Sequence, residues 1–160
     1  MMRHFYILSI VLTILMTVSC ASKYRPDLKG KNRSAERIKL VKNFATDYFA
    51  KCEKQDYSEF QGYKMDINFK NKLNPESLQR SCEYYNSRYG TITIGELSEA
   101  KSNYSPKDFL DYFIFKAKDS KSDSVQFVRV NIYRDNNMLE RISIPRYKKP
   151  TKGIRITIHK

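Results

Sequence analysis

The hydrophobic pattern changes period at Gly90, and that change restricts the fold more than any other feature of the chain. Before it, apolar residues recur at three- and four-residue spacing; after it, they alternate. Helices followed by an antiparallel meander describe an α+β domain with the helices packed on one face of the sheet. A chain of 160 residues has room for one such domain. Aromatics at 13%, with only five glycines and five prolines, exclude a disordered or fibrous chain.

Ser34 offers an N-cap with Glu36 in the first turn. Ile38, Val41, Phe44, Ala45, Tyr48, Phe49 and Cys52 then mark an amphipathic helix over about 35–53. A shorter helix or turn is predicted at about 55–63, with Tyr57 and Phe60 facing inward. Asn74-Pro75-Glu76 starts a third helix, 75–89: a capping amide, proline at the first position and an acid at the positive dipole end. It would bury Leu78, Cys82 and Tyr85, and Gly90 would close it at positive φ. Strands are predicted at 91–97, 109–117, 125–133 and 138–144, with a polar turn at 119–123 and a hairpin turn at Asp135-Asn136-Asn137. Ile154, Ile156 and Ile158 alternate with Arg155, Thr157 and His159, a pattern suited to a short edge strand.

The N-terminus carries a different signal. Arg3 precedes a nearly apolar run from Phe5 to Val18, too short to cross a hydrocarbon core of about 30 Å comfortably but suited to a signal-peptide core. The run ends at Thr17-Val18-Ser19-Cys20, which resembles the lipobox of bacterial lipoproteins, although Thr17 stands where a large aliphatic residue is usual. That resemblance implies cleavage before Cys20 and lipidation of its sulfur. An ordinary secretory signal with an incidental Cys20, or an uncleaved anchor helix, is the competing reading. Several acyl chains at about 0.8 kcal/mol per methylene anchor stably where one chain is marginal. Ala21 and Ser22 follow, with no aspartate, which by the same resemblance implies an outer-membrane lipoprotein facing the periplasm. The chain then divides into a signal peptide (1–19), a lipidated cysteine and flexible tether (20–33), the domain (34–145) and a basic C-terminal tail (146–160).

In an exported chain the remaining pair, Cys52 and Cys82, suggests a disulfide; two separate core cysteines are the alternative. The domain order also resembles the cone-shaped nuclear-transport-factor-2-like folds, which include ketosteroid isomerase, with cystatin-like folds as near neighbours. The matching features are Ala45 to Phe49 in a long first helix, Asp56-Tyr57, Leu73 and Leu78 around the proline-started helix, Tyr89-Gly90 before the first strand, and the closing hairpin. They span roughly 35–145.

Catalytic machinery is thin. Beyond residue 19 the one histidine is His159, no His/Cys cluster has metal-ligand spacing, and the glycines form no phosphate loop. The reading is therefore non-enzymatic, with no metal and no cofactor. One acid stands out: on an alternating strand Asp111 shares a face with Phe109, Phe113 and Phe115, and with Tyr112 beside it these residues are a candidate pocket. An acid on an apolar face would have a raised pKa and serve as a general base, as in ketosteroid-isomerase-like pockets, unless a Lys or Arg pairs with it. Tyr84, Tyr85, Tyr89, Tyr104, Tyr112, Tyr133 and Tyr147 would line a ligand cleft or simply pack the core.

The formal charge is +13, and removal of residues 1–19 takes away Arg3 and no acid, leaving +12. Such an excess favours anionic partners. Arg146, Lys148, Lys149 and Lys152 form a compact basic run that would dock on anionic headgroups at about 1 kcal/mol per charge, or act as a solvated tail. Export argues against nucleic acid. The expected role is a lipid-anchored envelope protein that binds a protein, glycan or lipid headgroup. A small-molecule-binding pocket domain or an immunity-type inhibitor lipoprotein is the alternative.

Overall fold

The computed structural model describes residues 27–105, 108–122 and 124–145. Cys20 and the signal segment before it lie outside these residues, as do Arg146, Lys148, Lys149, Lys152 and His159. The architecture is α+β: three helices, α1 (Ala35–Lys54), α2 (Ile67–Lys72) and α3 (Pro75–Tyr89), precede a four-stranded antiparallel sheet. Its strands, β1 (Ile92–Ser105), β2 (Asp108–Asp119), β3 (Val125–Tyr133) and β4 (Leu139–Ser143), pair in sequence order as an open meander.

Local chemistry sets most boundaries. Ser34 caps α1, its hydroxyl accepting from the Arg37 amide, and Gln55 ends the helix in the left-handed region. Asn74 caps α3 through Ser77 with Pro75 at the first position, and Gly90 leaves it at φ 67°. The apolar stripe expected on α1 is the buried one: Val41, Phe44, Ala45, Tyr48, Phe49 and Cys52 lie in the core, with Ile38 at its edge. They pack against Phe113, Phe115, Val128, Val130 and Ile132 of the sheet. A fully buried Phe or Val contributes about 1.5–3 kcal/mol relative to exposure. This seam is therefore the main source of cohesion. Cys52 and Cys82 join α1 to α3, their sulfurs 2.04 Å apart as a disulfide.

Three expectations need correction. Residues 55–63 form no helix; the segment runs as an irregular loop with Phe60 buried and Tyr57 half-buried. The short helix lies later, at α2, where the Asp66 carboxylate accepts from the Asn68 and Phe69 amides. Six residues with one buried side chain, Phe69, leave no periodic trace in a sequence. Residues 27–33, read as tether, are part of the domain. Asp27 bridges to Lys101, the Leu28 amide donates to the Ala100 carbonyl, Leu28 is buried, and Gly30–Arg33 form a 3-10 turn. Finally, β1 runs on to Ser105, well past the expected 97. Its polar second half hid it: Ala100 and Ser102 face inward while Glu99 and Lys101 pair outside.

Gly95 sits in the irregular part of the β1–β2 pairing, where the register shifts twice. A Cβ there would lie 3.0 Å from the Lys116 carbonyl oxygen, so the two backbones approach more closely than a side chain allows. Both sheet edges also receive a bridge from an earlier segment, Asp27 on β1 and Met65 on β4, which shields part of each edge.

Candidate functional site

Asp111, the acid singled out by its apolar neighbours, is fully buried on the helix-covered face of β2, together with Phe113 and Phe115. It faces no cavity. Arg37 Nη1 donates to its Oδ2 at 2.8 Å. Arg134 Nη2 donates to Oδ1 at 2.6 Å, and Arg134 Nε reaches both oxygens at 3.1 and 3.3 Å. The Ser102 hydroxyl donates to Oδ1 at 2.8 Å and accepts from Arg134 Nη2. Burial alone would push this carboxyl up, but the hydrogen bonds from Arg134, Arg37 and Ser102 and the Arg134 charge together bring it below its ordinary value of 3.8. A general base poised near neutrality requires the opposite shift.

The structure therefore brings together only part of the residues grouped with Asp111 in the sequence. Phe109 does not pack with Phe113 and Phe115 but is 52% exposed, near the end of the strand. Tyr112 lies on the opposite sheet face, where the Arg129 guanidinium sits 5.5 Å from its ring centroid. The structure brings Asp111 together with Arg37 and Arg134, so the basic partner that would offset its burial is present twice. Arg37 was hard to foresee, because it continues the buried face of α1 one turn before Val41 with a charged side chain, and yet is only 6% exposed.

Among the clefts of the described residues, two combine polar and apolar lining beside α1. The larger, about 760 Å³, lies beside the 55–66 loop and α2, with Phe60, Tyr63, Met65 and Leu73 as its apolar lining. Glu59 and Lys70, paired at 2.7 Å, lie on its rim. Phe60 and Tyr63 are there because both pack on Phe44 of α1, at ring centroid distances of 5.4 and 5.2 Å. The loop is further tied by Lys51 to Asp56 and Ser58, and by the Tyr63 hydroxyl donating to Asp47. Burial and then the Asp47 carboxylate raise the Tyr63 pKa, so this phenol stays a neutral donor at physiological pH. Neither the loop shape nor this cleft was legible in the sequence; the only trace was the aromatic pair Phe60 and Tyr63 between polar residues.

The smaller cleft, about 450 Å³, opens at the head of α1 between Ser34, Glu36, Arg37, Leu40, Asp135 and Asn137. It is polar, and its inner wall is the Arg37–Arg134 side of the buried cluster. Of the tyrosines, Tyr85 and Tyr89 pack against the core, Tyr84 is exposed, and Tyr133 is half-buried on the sheet. Tyr147 and the Tyr104 side chain lie outside the described residues. Among the described residues no group of three or more His, Cys, Asp and Glu is arranged to hold a metal, and no helix is long and apolar enough to cross a membrane. Comparison with known proteins adds no relative: no family model, no curated protein and no solved structure matches the chain.

Proposed function

We propose that this chain is a non-enzymatic binding protein of the cell envelope, held to the outer membrane through lipidated Cys20, with the cleft beside the 55–66 loop as its binding site. The observation that carries the binding reading is that cleft: Phe60, Tyr63, Met65 and Leu73 give it an apolar floor, Glu59, Lys70, Asn71 and Asn74 give it polar and charged walls, and it is large enough for a small amphipathic ligand. The Asp111 carboxylate, held ionised by two arginines, lends no support to base catalysis. The run Phe5–Val18 and the Ser19-Cys20 step support the anchor, and the order of helices then meander supports the nuclear-transport-factor-2-like or cystatin-like resemblance.

The test uses anilinonaphthalene sulfonate, a fluorescent amphipathic probe, with the full chain. Saturable one-site fluorescence is expected. Asn71→Trp, which fills the cleft from an exposed helical position, should abolish it. Ile67→Ser, which removes an exposed apolar side chain that does not line the cleft, should leave it intact. Equal signals from wild type and Asn71→Trp would sink the cleft assignment. The anchor is tested separately: Cys20→Ser should move the protein from the detergent phase to the aqueous phase.

A further inference from the structure

The polar cleft at the head of α1 contains an incomplete hydrogen-bonding fork. Arg37 is 6% exposed, and its guanidinium is fixed on three sides. Its Nη1 donates to the Asn32 carbonyl at 2.6 Å and to Asp111 at 2.8 Å, its Nε donates to Asn137 Oδ1 at 2.8 Å, and its Cζ stands 5.6 Å from the Phe113 ring centroid. Nη2 alone has no acceptor. A buried guanidinium nitrogen without a partner is costly, so an acceptor supplied to Nη2 would be favourable.

Covalent geometry says where that nitrogen aims. In arginine Nη1 lies on the Cδ side, so the Nε proton and one Nη2 proton run parallel along the opposite edge. That edge meets Asn137, which lines the cleft. Asn137 offers one oxygen, taken by Nε; the other end of its amide is a donor and cannot serve Nη2. A carboxylate has two acceptor oxygens at the spacing of this fork. Asn137 is exposed at the hairpin turn, so its side chain can exchange the Arg37 bond for water when a ligand takes the position.

We propose that this cleft is a monocarboxylate site in which a ligand carboxylate replaces the Asn137 amide on the Nε–Nη2 edge of Arg37. Glu36 and Asp135 at the rim disfavour multiply charged anions such as phosphate, and Leu40 offers a short apolar wall to the group that carries the acid. The shared chemistry is one carboxylate, borne by a free acid or by a peptide chain end. The site stands apart from the aromatic cleft and does not depend on it.

The test titrates the full chain with acetate, N-acetylalanine, N-acetylalanine amide and inorganic phosphate at constant ionic strength. The readout is the nuclear magnetic resonance signals of the Arg37 guanidinium and the Asn137 amide. Both acids should give saturable shifts; tighter N-acetylalanine assigns a chain end, and equal binding assigns a free acid. The amide should give none, and phosphate should bind about tenfold more weakly or less. Asn137→Asp, tolerated at this φ, supplies a built-in carboxylate; it should abolish acetate binding and raise the thermal midpoint. No saturable shift with either acid, phosphate binding as well as acetate, or acetate binding retained in Asn137→Asp would each overturn the proposal.

Discussion

The two ends of α1 are held by different forces. Its C-terminal half is fixed by apolar contact: Phe44, Tyr48 and Phe49 meet Phe60, Phe69 and Tyr85, and the Cys52–Cys82 bridge ties the helix to α3. Its N-terminal end is fixed by charge: Arg37 reaches across to Asp111 on β2, which Arg134 and Ser102 also engage. Apolar contact is tolerant of small displacements, because dispersion is summed over many atoms. A buried carboxylate between two guanidiniums is not, since each donor must stay in place to offset the cost of desolvation. The aromatic end supplies cohesion, and the charged end fixes how the head of the helix sits on the sheet.

The strongest way to break this comparison is to remove one anchor from each end. Asp111→Ala leaves two arginines without their shared acid and should destabilise the domain by about 3–5 kcal/mol. Phe44→Ala should cost about 3–5 kcal/mol by creating a cavity. Urea unfolding measures both, and an Asp111→Ala loss below about 1 kcal/mol would remove the charged end from the account. Next in size, Cys52→Ser should cost about 3–4 kcal/mol, since the bridge closes a loop across a sequence separation of 30. Reductant should lower the wild-type midpoint to that of Cys52→Ser and leave the variant unchanged.

Acid sharpens the comparison further. The Asp111 pKa is depressed in the folded state, so its contribution is complete above the ordinary value of 3.8 and is lost as pH falls below it through the folded value. Stability should therefore drop as pH falls below about 4 in wild type and in Phe44→Ala alike. Asp111→Asn should show a shallower drop, kept only by acids whose pKa values are also lowered, such as Asp56, Glu59 and Glu96. Parallel curves for wild type and Asp111→Asn would contradict the assignment. The smallest effect is expected at the cleft rim. Lys70→Ala breaks an exposed pair with Glu59 and should leave the unfolding midpoint unchanged while altering the salt dependence of probe binding.

Legibility in the sequence follows the same division. The stripe from Val41 to Cys52 is visible because burial on a helix repeats every three or four residues. The strand β3 matches its expected bounds because Val128, Val130 and Ile132 alternate with Arg129 and Asn131, and Asn137 at φ 57° sits where a hairpin turn was expected. The second half of β1 escaped notice because serines, Glu99 and Lys101 interrupt its apolar signal. The Arg37–Asp111 pair spans 74 residues of chain, and nothing local in either segment names its partner. Residues 55–63 suggest a short helix or turn because Tyr57 and Phe60 stand three residues apart, whereas their burial comes from contact with α1 and its neighbours.

By itself, then, the sequence determined that helices precede an antiparallel meander, the Ser34 and Asn74 caps of α1 and α3, the hairpin turn at Asn137, and the apolar face of α1. These depend on interactions within a few residues, or on a period that any core would read in the same way. Tertiary structure alone decided that Asp111 is paired with Arg37 and Arg134, that residues 27–33 belong to the domain, and where the clefts beside the 55–66 loop and at the head of α1 open. The charge state of a buried acid depends on which distant donors the fold delivers to it, and the shape of a cleft depends on the gaps between elements, neither of which has a local signature.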